Sequence, residues 1–340
     1  MAKETVDDIQ GRHLKLSKLD KELYPEAGFT KGQVIDYFVR IAPVLLPHLR
    51  GRPLTLKRYP NGVNGMYFYE KNCPEHRPEW VQTVPIWSSG NNKWMNYCLA
   101  QDLPTLVWAA NLADLELHTS LSLGKEPLRP TFLVFDLDPG PPANIVQCCQ
   151  VGLWIRDIFT RLKLQCFAKT SGSKGLQLYV PLNTAVTYDQ TKAFAHQIAR
   201  VLERAHPELV VSDMKKALRT GKVFVDWSQN DDHKTTVCVY SLRAKERPTV
   251  STPVKWEEVA SCLKKGDANL LVFDSDQVLA RVKKHGDLFE PVLKLKQKMP
   301  VLDTLEQVRT KNSAEERQGI AKSGASKTTA RKRVKKGTVS

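Results

Sequence analysis

The amino-acid sequence predicts an α/β fold in which helices cover a central mixed or antiparallel sheet. Short runs rich in β-branched and aromatic residues alternate with longer stretches whose apolar residues recur at helical spacing. At 340 residues the chain is long enough to bury a sizeable core. From about residue 313 large apolar residues nearly vanish, so a disordered basic C-terminal tail is expected.

The charge of the chain predicts a polyanionic partner. The net charge is +15, and residues 301–340, with ten Lys or Arg and four Asp or Glu, contribute +6 of it. The remaining chain is therefore basic as well. A basic surface attracts nucleic acid, although ribosome-associated and membrane-surface proteins have similar compositions.

The cysteines and the hydropathy predict a soluble cytoplasmic protein. The seven cysteines are odd in number and none forms a CxxC pair, which is typical of reduced thiols and not of disulfides or a zinc site. No apolar run approaches the roughly 18 residues of a membrane span, and the N-terminus has no signal-peptide pattern. We expect no membrane partner.

The N-terminal part alternates as a strand over Leu14–Leu19 and then enters a helix. Thr30 and Gln33 form a capping box at the start of that helix. Lys31 would lie in the first turn, where free N–H groups favour an anion, so a cation there suggests that Lys21 and Lys31 bind an external phosphate. Ordinary solvated lysines are an equally good interpretation.

Short strands are predicted between residues 52 and 99. Their aromatic residues interleave with cations such as Lys57 and Lys71, which suits base stacking beside a charged backbone. Core aromatics with flanking charges explain this pattern equally well. The next segment, Trp108–Leu117, is predicted to be helical or mixed and is followed by His118, and a lone histidine is more often structural than catalytic.

The most informative stretch is Thr131–Gly140, an apolar β-favouring run that Pro139 and Gly140 end. Alternate residues of a strand share a face, so Asp136 and Asp138 point the same way, about 6–7 Å apart. Adjacent carboxylates are costly unless a cation neutralises them, and two divalent ions about 3.5–4 Å apart are the usual occupants. Two solvated acids at a strand end are the alternative.

After a helix capped by Asn144, the strand Leu164–Thr170 leads into the turn Ser171–Gly175. A Gly-Ser-Lys-Gly turn between strands can bring N–H groups, hydroxyls and an ammonium close to a phosphate. It is not a Walker A loop, which needs GxxxxGK[ST] before a helix, and Gly-rich hairpin turns are common.

A third carboxylate, Asp226, lies in the apolar strand Lys222–Trp227. A carboxylate in such a strand needs a partner, and the predicted metal site is the economical candidate. The strand Thr235–Tyr240 then leads to Arg243. Two further helices are predicted near 255–265 and 275–285.

In this order the motifs resemble the polymerase domain of bacterial end-joining ligase D, within the archaeo-eukaryotic primase superfamily. The likeness covers about residues 10–295 and includes Asp-Leu-Asp-Pro (136–139), Ser-Gly-x-Lys-Gly (171–175), Asp-Trp (226–227) and Tyr-Ser-Leu-Arg-Ala (240–244). It implies a catalytic domain at 1–300, in which an N-terminal α/β part at about 10–120 binds DNA ends and a primase-like core occupies about 121–295. The tail is 301–340. Because no ligase or nuclease module is attached, the chain resembles stand-alone relatives of the primase-polymerase C type.

The resemblance implies a role for each matching residue. Asp136, Asp138 and Asp226 would bind two ions, Mn²⁺ or Mg²⁺, and His118 would be a further catalytic residue. The triphosphate would contact Ser171, Lys174, Gln177 and Arg243. DNA would contact Phe68, Tyr69 and Lys71 at the template and Lys18, Lys21 and Lys31 at a downstream 5′-phosphate. The family usually has His where Gln177 stands, and Gln cannot become cationic, so triphosphate binding would be weaker or less dependent on pH.

The resemblance implies a template-dependent nucleotidyltransferase of the EC 2.7.7 class that fills short gaps at DNA breaks or during excision repair and, like the family, prefers ribonucleotides. Its substrates would be NTPs or dNTPs and gapped or broken double-stranded DNA with a 5′-phosphate. A separately encoded DNA ligase and end-joining or excision-repair proteins would be its partners. We expect it in the cytoplasm, associated with the bacterial nucleoid.

Two other classes of protein remain open. A non-catalytic scaffold that binds DNA ends would explain the basic surface, although the intact set of three carboxylates favours catalysis. Phe-Asp-Leu-Asp-Pro-Gly also resembles the nucleophile motif of haloacid-dehalogenase-type phosphatases, with Asp231 and Asp232 as a second acidic motif. That motif has Thr or Val where Gly140 stands, and it leaves Asp226 unexplained.

Overall fold

The computed structural model describes residues 4–88 and 91–300. Its strands are β1 (Glu4–Ile9), β2 (Arg12–Ser17), β3 (Glu22–Tyr24), β4 (Phe29–Thr30), β5 (Leu54–Arg58), β6 (Phe68–Glu70), β7 (Thr83–Ser88), β8 (Lys93–Cys98), β9 (Asp114–Thr119), β10 (Phe132–Pro139), β11 (Phe167–Thr170), β12 (Leu176–Pro181), β13 (Val210–Val211), β14 (Val223–Asp226), β15 (Thr236–Val237) and β16 (Pro253–Val254). Its helices are α1 (Lys31–Leu49), α2 (Leu103–Asn111), α3 (Ile145–Arg161), α4 (Tyr188–Ala205), α5 (Trp256–Lys265), α6 (Ser275–His285) and α7 (Pro291–Lys294). The predicted α/β class is confirmed.

One sheet, here called the carboxylate sheet, has the strand order β13-β14-β10-β12-β11-β16. Its pairs are antiparallel except for the parallel pair β13–β14, so the sheet is mixed, as predicted. The apolar stretch around the Asp pair forms β10 near its centre. β12 lies between β10 and β11, and all six of its residues are buried.

A second sheet, here called the aromatic sheet, has the order β15-β9-β5-β8-β7, and β6 also pairs with β5. The segment predicted as helical or mixed divides here, because its first residues end α2 and its last residues lie in β9. β15 contains only Thr236–Val237, shorter than the predicted strand. A little farther on, Tyr240 adopts a left-handed backbone conformation with φ of 64°, which strand geometry does not allow.

Apolar packing fixes which way β10 faces. Phe135 is fully buried, and its ring centroid lies 5.8 Å from that of Phe159 in α3. The Phe159 ring in turn lies 6.3 Å from that of Phe194 in α4. Because residues alternate along a strand, anchoring Phe135 under these helices turns the neighbouring Asp136 to the opposite face.

The start of α1 is as predicted. Gln33 donates its backbone N–H to the Thr30 hydroxyl oxygen at 3.3 Å, and the Gln33 side-chain oxygen accepts from the Thr30 backbone N–H at 2.8 Å. This reciprocal capping box satisfies donors that the helix itself leaves free. It also fixes the point at which Lys31 enters the helix.

The prediction that all cysteines are reduced thiols is wrong for one pair. Cys73 and Cys98 form a disulfide, with their Cα atoms 5.0 Å apart. The Cys73 backbone N–H donates to the Asn96 carbonyl oxygen of β8, so the chain after β6 lies against the strand that ends at Cys98. The sequence separation of 25 residues gave no local signal for this pairing. The other five cysteines are free thiols and are buried.

The chain divides into a unit spanning Met1–Lys298, which contains all the elements above, and a unit spanning Met299–Ser340. The predicted tail at 301–340 lies outside the described residues. Among the described residues, no helix has the length and apolar character needed to cross a bilayer.

Candidate active site

Three carboxyl groups meet on one face of the carboxylate sheet. Asp136 of β10 lies directly opposite Asp226 of β14 in the antiparallel register. Asp138 follows two residues along β10 and therefore projects from the same face. The sheet thus brings together the three residues that the sequence pattern selects as metal ligands.

The electrostatics of this cluster favour a bound cation. Burial, and then the charges of Asp138 and Asp226, raises the pKa of Asp136 to about 8. Burial and the charge of Asp226 also raise the pKa of Asp138. Among the described residues, the buried Oδ1 atom of Asp136 has no hydrogen-bond partner. An acceptor without a donor, beside two like charges, is a suitable ligand for a divalent ion.

Asp226 is held in place by its own loop. Its Oδ1 atom accepts hydrogen bonds from the backbone N–H and the hydroxyl of Ser228, at 2.9 and 2.5 Å, and its Oδ2 atom accepts from Gln229 Nε2 at 2.9 Å. Lys234 Nζ in turn donates to the Ser228 hydroxyl. Oriented carboxylate oxygens are the ligands that Mg²⁺ and Mn²⁺ prefer, so the residues present fit such an ion.

The turn Ser171–Gly175 joins β11 to β12 beside these carboxyls. The Ser171 hydroxyl oxygen accepts from the backbone N–H groups of Ser173 and Gly175, at 3.2 and 3.1 Å, so it holds the turn together. A Cβ atom at Gly175 would lie 2.1 Å from the Leu137 carbonyl oxygen, so a side chain there would force the turn away from β10. Lys174 is exposed on this turn, close to the carboxyls.

Gln177 lies between the carboxyl cluster and a buried cation. It is the cross-strand partner of Asp136, and its hydrogen bonding to Asp136 opposes the rise in that residue's pKa that burial causes. The Gln177 Oε1 atom accepts from Lys169 Nζ at 2.5 Å. Lys169 is fully buried and also donates to Val237 O at 3.0 Å and Ser251 Oγ at 2.7 Å. Burial lowers the pKa of Lys169 to about 7.

His118 and Arg243 share an acidic neighbour that the sequence motifs did not identify. His118 Nε2 lies 3.0 Å from Glu116 Oε2, and Arg243 Nε lies 3.4 Å from the same oxygen. Arg243 Nη1 also donates to the Ser171 carbonyl oxygen, which ties the arginine to the turn. Burial lowers the pKa of His118, although Glu116 acts in the opposite direction.

A cavity of about 470 Å³ connects these groups. The predicted site residues in its wall are Tyr69, Lys71, His118, Asp136, Asp138, Ser171, Lys174, Gln177 and Arg243. They come from both sheets, from the turn and from the loops that carry Lys71 and Arg243, and Asp226 adjoins them through its pairing with Asp136. A volume of this order is typical of sites for small molecules such as nucleotides.

The aromatic residues predicted to meet the template form an exposed strip beside the cavity. Phe68 is 45% exposed and Tyr69 is 56% exposed, so these rings are not core aromatics. Lys57 Nζ lies 4.7 Å from the centroid of the Tyr67 ring and 5.3 Å from that of Tyr69. Exposed rings beside a cation suit the stacking of nucleic-acid bases.

The three lysines predicted to bind a 5′-phosphate form a cluster at the start of α1. Lys31 is only 6% exposed, and its Nζ atom donates to the Ser17 carbonyl oxygen at 2.7 Å. Burial, and then the charges of Lys18 and Lys21, lowers the pKa of Lys31 to about 8. The interpretation of Lys31 as an ordinary solvated lysine is therefore wrong. None of the three lies in the wall of the cavity, so this cluster is separate from the carboxyls.

Comparison with known proteins identifies the family of this fold and site. A family model described as "LigD, primase-polymerase domain" matches residues 30–289. The chain belongs to this family, which is a class of nucleotidyltransferase domains. The haloacid-dehalogenase alternative is thereby removed. Asp231, one of the acids it required, is paired with Lys192 at 2.5 Å.

The relatives agree with this assignment. The chain is 39% identical over 303 residues to a "Multifunctional non-homologous end joining protein LigD" from Mycolicibacterium smegmatis, covering 88% of this chain and 38% of the relative. It is 32% identical over 300 residues to a "Bifunctional non-homologous end joining protein LigD" from Bacillus subtilis, covering 88% and 47%. The chain therefore spans less than half the length of these relatives.

A solved structure has a similar fold. It is the "Polymerase Domain from Mycobacterium tuberculosis Ligase D in complex with DNA", with a TM-score of 0.76 and 38% sequence identity. The match covers 84% of this chain and 99% of the other.

Proposed function

We propose that this protein is a template-dependent nucleotidyltransferase that fills short gaps in DNA and prefers ribonucleotides. The observation that carries the proposal is that one cavity is lined by Asp136 and Asp138 of the carboxyl cluster, by Lys174 and Arg243, and by Tyr69 of the aromatic strip. The DNA bound to the similar solved domain and the end-joining names of the relatives support DNA as the substrate.

In the proposed reaction a primer 3′-hydroxyl attacks the α-phosphorus of the nucleotide, and pyrophosphate leaves. Asp136, Asp138 and Asp226 would hold two divalent ions, Mn²⁺ or Mg²⁺, which lower the pKa of the hydroxyl and neutralise charge on the triphosphate. Lys174 and Arg243 would bind the triphosphate, with Ser171 supporting the turn between them.

The remaining site residues are His118 and the residues that would contact the DNA. His118, whose Nε2 atom lies 3.0 Å from Glu116 Oε2, would be a further catalytic residue in the cavity wall. Phe68, Tyr69 and Lys71 would contact the template. The cluster of Lys18, Lys21 and Lys31 would bind the 5′-phosphate on the far side of a gap.

The biological setting follows from this activity and is also proposed. The protein would act in the cytoplasm at the bacterial nucleoid, on breaks or during excision repair. A DNA ligase and end-joining or excision-repair proteins would act with it. Residues 1–300 would form the catalytic domain and 301–340 a tail that binds polyanions.

Primer extension on a gapped duplex with labelled NTPs and Mn²⁺ tests the proposal. The expected result is addition of nucleotides that stops when the gap is filled, and its loss in Asp138→Asn. Binding to the gapped duplex without extension by the wild-type protein would instead support the non-catalytic scaffold.

A further inference from the structure

Glu116 contacts Lys57 beside the aromatic strip and also contacts His118 and Arg243, which lie in the cavity wall. It lies on β9 and is 1% exposed. Its Oε2 atom lies 3.1 Å from Lys57 Nζ, 3.0 Å from His118 Nε2 and 3.4 Å from Arg243 Nε. One buried carboxylate oxygen therefore faces three cationic or potentially cationic groups.

The second oxygen fixes the carboxylate in place. Glu116 Oε1 accepts from the backbone N–H of Ala244 at 3.0 Å and from the Tyr59 hydroxyl at 3.4 Å. The Ala244 bond attaches the carboxylate to the backbone that carries Arg243. A side chain held at both oxygens has little freedom to turn, so a shift at one partner is felt by the others.

The Glu116 carboxyl is ionised at neutral pH. Burial alone would raise the pKa of its carboxyl, but the hydrogen bond from His118 and the charges of Arg243 and Lys57 outweigh burial and hold that pKa well below its ordinary value. A buried anion of this kind persists because its partners compensate its desolvation. The partners, in turn, depend on it as their shared counter-charge.

One partner of Glu116 lies beside the aromatic strip, and another lies in the part of the cavity proposed to bind the triphosphate. Lys57 packs under the exposed strip, close to the rings of Tyr67 and Tyr69. Arg243 lies in the cavity wall and is bonded to the turn that would bind the triphosphate. A base that stacks on the strip must contact the rings that Lys57 supports, and Lys57 shares its acceptor oxygen with Arg243.

We propose that Glu116 is a positioning residue that couples occupancy of the template strip to the binding of the nucleotide triphosphate. When a template base settles on Tyr67 and Tyr69, Lys57 is held against Glu116, and the carboxylate then holds Arg243 toward the triphosphate. This inference rests on the proposed function, and it adds that nucleotide affinity depends on the template even where no base pair forms.

The experiment measures the affinity of a fluorescent NTP for the full-length protein by anisotropy, with Mn²⁺ present. It compares free protein with protein bound to a gapped duplex whose primer ends in a dideoxynucleotide. The templating base is chosen to be non-complementary to the NTP, so that base pairing does not contribute. The ratio of the two dissociation constants is the coupling factor.

For the wild-type protein we expect the gapped duplex to tighten NTP binding by about fivefold or more. In Glu116→Gln the coupling factor should fall close to one, and NTP binding should weaken with and without DNA. Lys57→Met removes only the contact between Glu116 and the residue beside the strip, and it should also bring the coupling factor close to one. Glu258→Gln is the matched control, because it removes a glutamate paired with Arg281 between α5 and α6 and should keep the wild-type factor.

Two results would overturn the inference. One is a wild-type coupling factor of one, and the other is a wild-type factor in Lys57→Met, which keeps the pairs of Glu116 with His118 and Arg243. If Glu116→Gln fails to give a cooperative thermal unfolding transition, the coupling factor of Lys57→Met alone tests the inference. Primer extension by the wild-type protein is scored separately, so a failure of the proposed function is distinguished from a failure of coupling.

Discussion

Asp136 and Asp226 lie directly opposite each other on adjacent antiparallel strands, with both side chains on the face from which Asp138 also projects. This register forces like charges together in a largely buried place. The pKa of Asp136 rises to about 8 as a result of burial and of these neighbours. The fold is thus strained electrostatically at the point where the chemistry is proposed.

Replacing Asp136 with Asn should therefore have two opposite effects. Extension should fall by orders of magnitude, because the ligand charge is lost. The metal-free protein should become more stable at pH 8 by at least about 1 kcal/mol, since one pKa unit corresponds to about 1.4 kcal/mol. That gain would raise the melting temperature by about 2 °C or more. Asp157→Asn, on the exposed face of α3, should change neither quantity. Near-normal extension by Asp136→Asn would contradict the assignment of Asp136 as a metal ligand.

The raised pKa of Asp136 also predicts how the metal-free protein responds to pH. Between about pH 4 and pH 8 the folded state binds more protons at this carboxyl than the unfolded state, so this group makes stability fall as pH rises through that window. A divalent ion must displace the same proton. Mn²⁺ affinity should therefore increase by about tenfold from pH 6 to pH 7 and level off above pH 8. Calorimetric titration in buffers of different ionisation enthalpy measures both the affinity and the proton release. An affinity that does not change with pH would contradict the raised pKa.

Lys169 predicts a separate effect on metal binding. Its ammonium holds Gln177 Oε1, and Gln177 adjoins Asp136. Lys169→Met keeps the apolar stem but releases Gln177, so Mn²⁺ affinity should fall by about 10- to 100-fold, as for other residues that orient metal ligands. Thermal stability should also fall, because the buried Val237 carbonyl oxygen and Ser251 hydroxyl oxygen lose the donor that they share. Lys294→Met, at an exposed pair with Glu290 outside the cavity, serves as the control. Unaltered Mn²⁺ binding in Lys169→Met would show that Gln177 does not orient Asp136.

The lysine cluster predicts selectivity for a 5′-phosphate. Lys18→Ala with Lys21→Ala removes two of its charges and leaves the buried Lys31 in place. Charge-assisted contacts are each worth about 1.5–3 kcal/mol, so the loss of two of them should weaken binding to a gap with a 5′-phosphate by about a hundredfold or more. Binding to the same gap with a 5′-hydroxyl should change much less. Equal losses on the two DNAs would reduce these lysines to general backbone contacts.

The local patterns predicted much of the fold and of the carboxyl cluster. The alternation around Asp136 and Asp138 placed both on one face, and the apolar strand at Asp226 supplied the third carboxyl. The capping box at Thr30 gave the start of α1. These features depend on residues that are close in sequence, where strand and helix periodicity carry the information.

The parts that sequence reasoning missed depend on tertiary pairing. Lys169 precedes the turn Ser171–Gly175 and gives no sign that it is buried, because the residues that bury it come from elsewhere in the chain. Glu116 shares a face with His118 two residues away, and this period-two relation was the available signal for it. Gln177 was expected to touch the triphosphate, and its contact with Lys169 became visible only with the register of β11 and β12. The disulfide between Cys73 and Cys98 likewise needed the contact between the chain after β6 and β8.

The activity proposed for the carboxyl cluster is nucleotide transfer directed by a template. The most direct measurement is single-turnover incorporation on four one-nucleotide gaps that differ only in the templating base, with each labelled NTP supplied in turn with Mn²⁺. We expect the incorporated nucleotide to change with the templating base, and we expect Asp136→Asn and Asp138→Asn to abolish all incorporation. Incorporation that ignores the templating base, or that persists in both variants, would contradict the proposed activity.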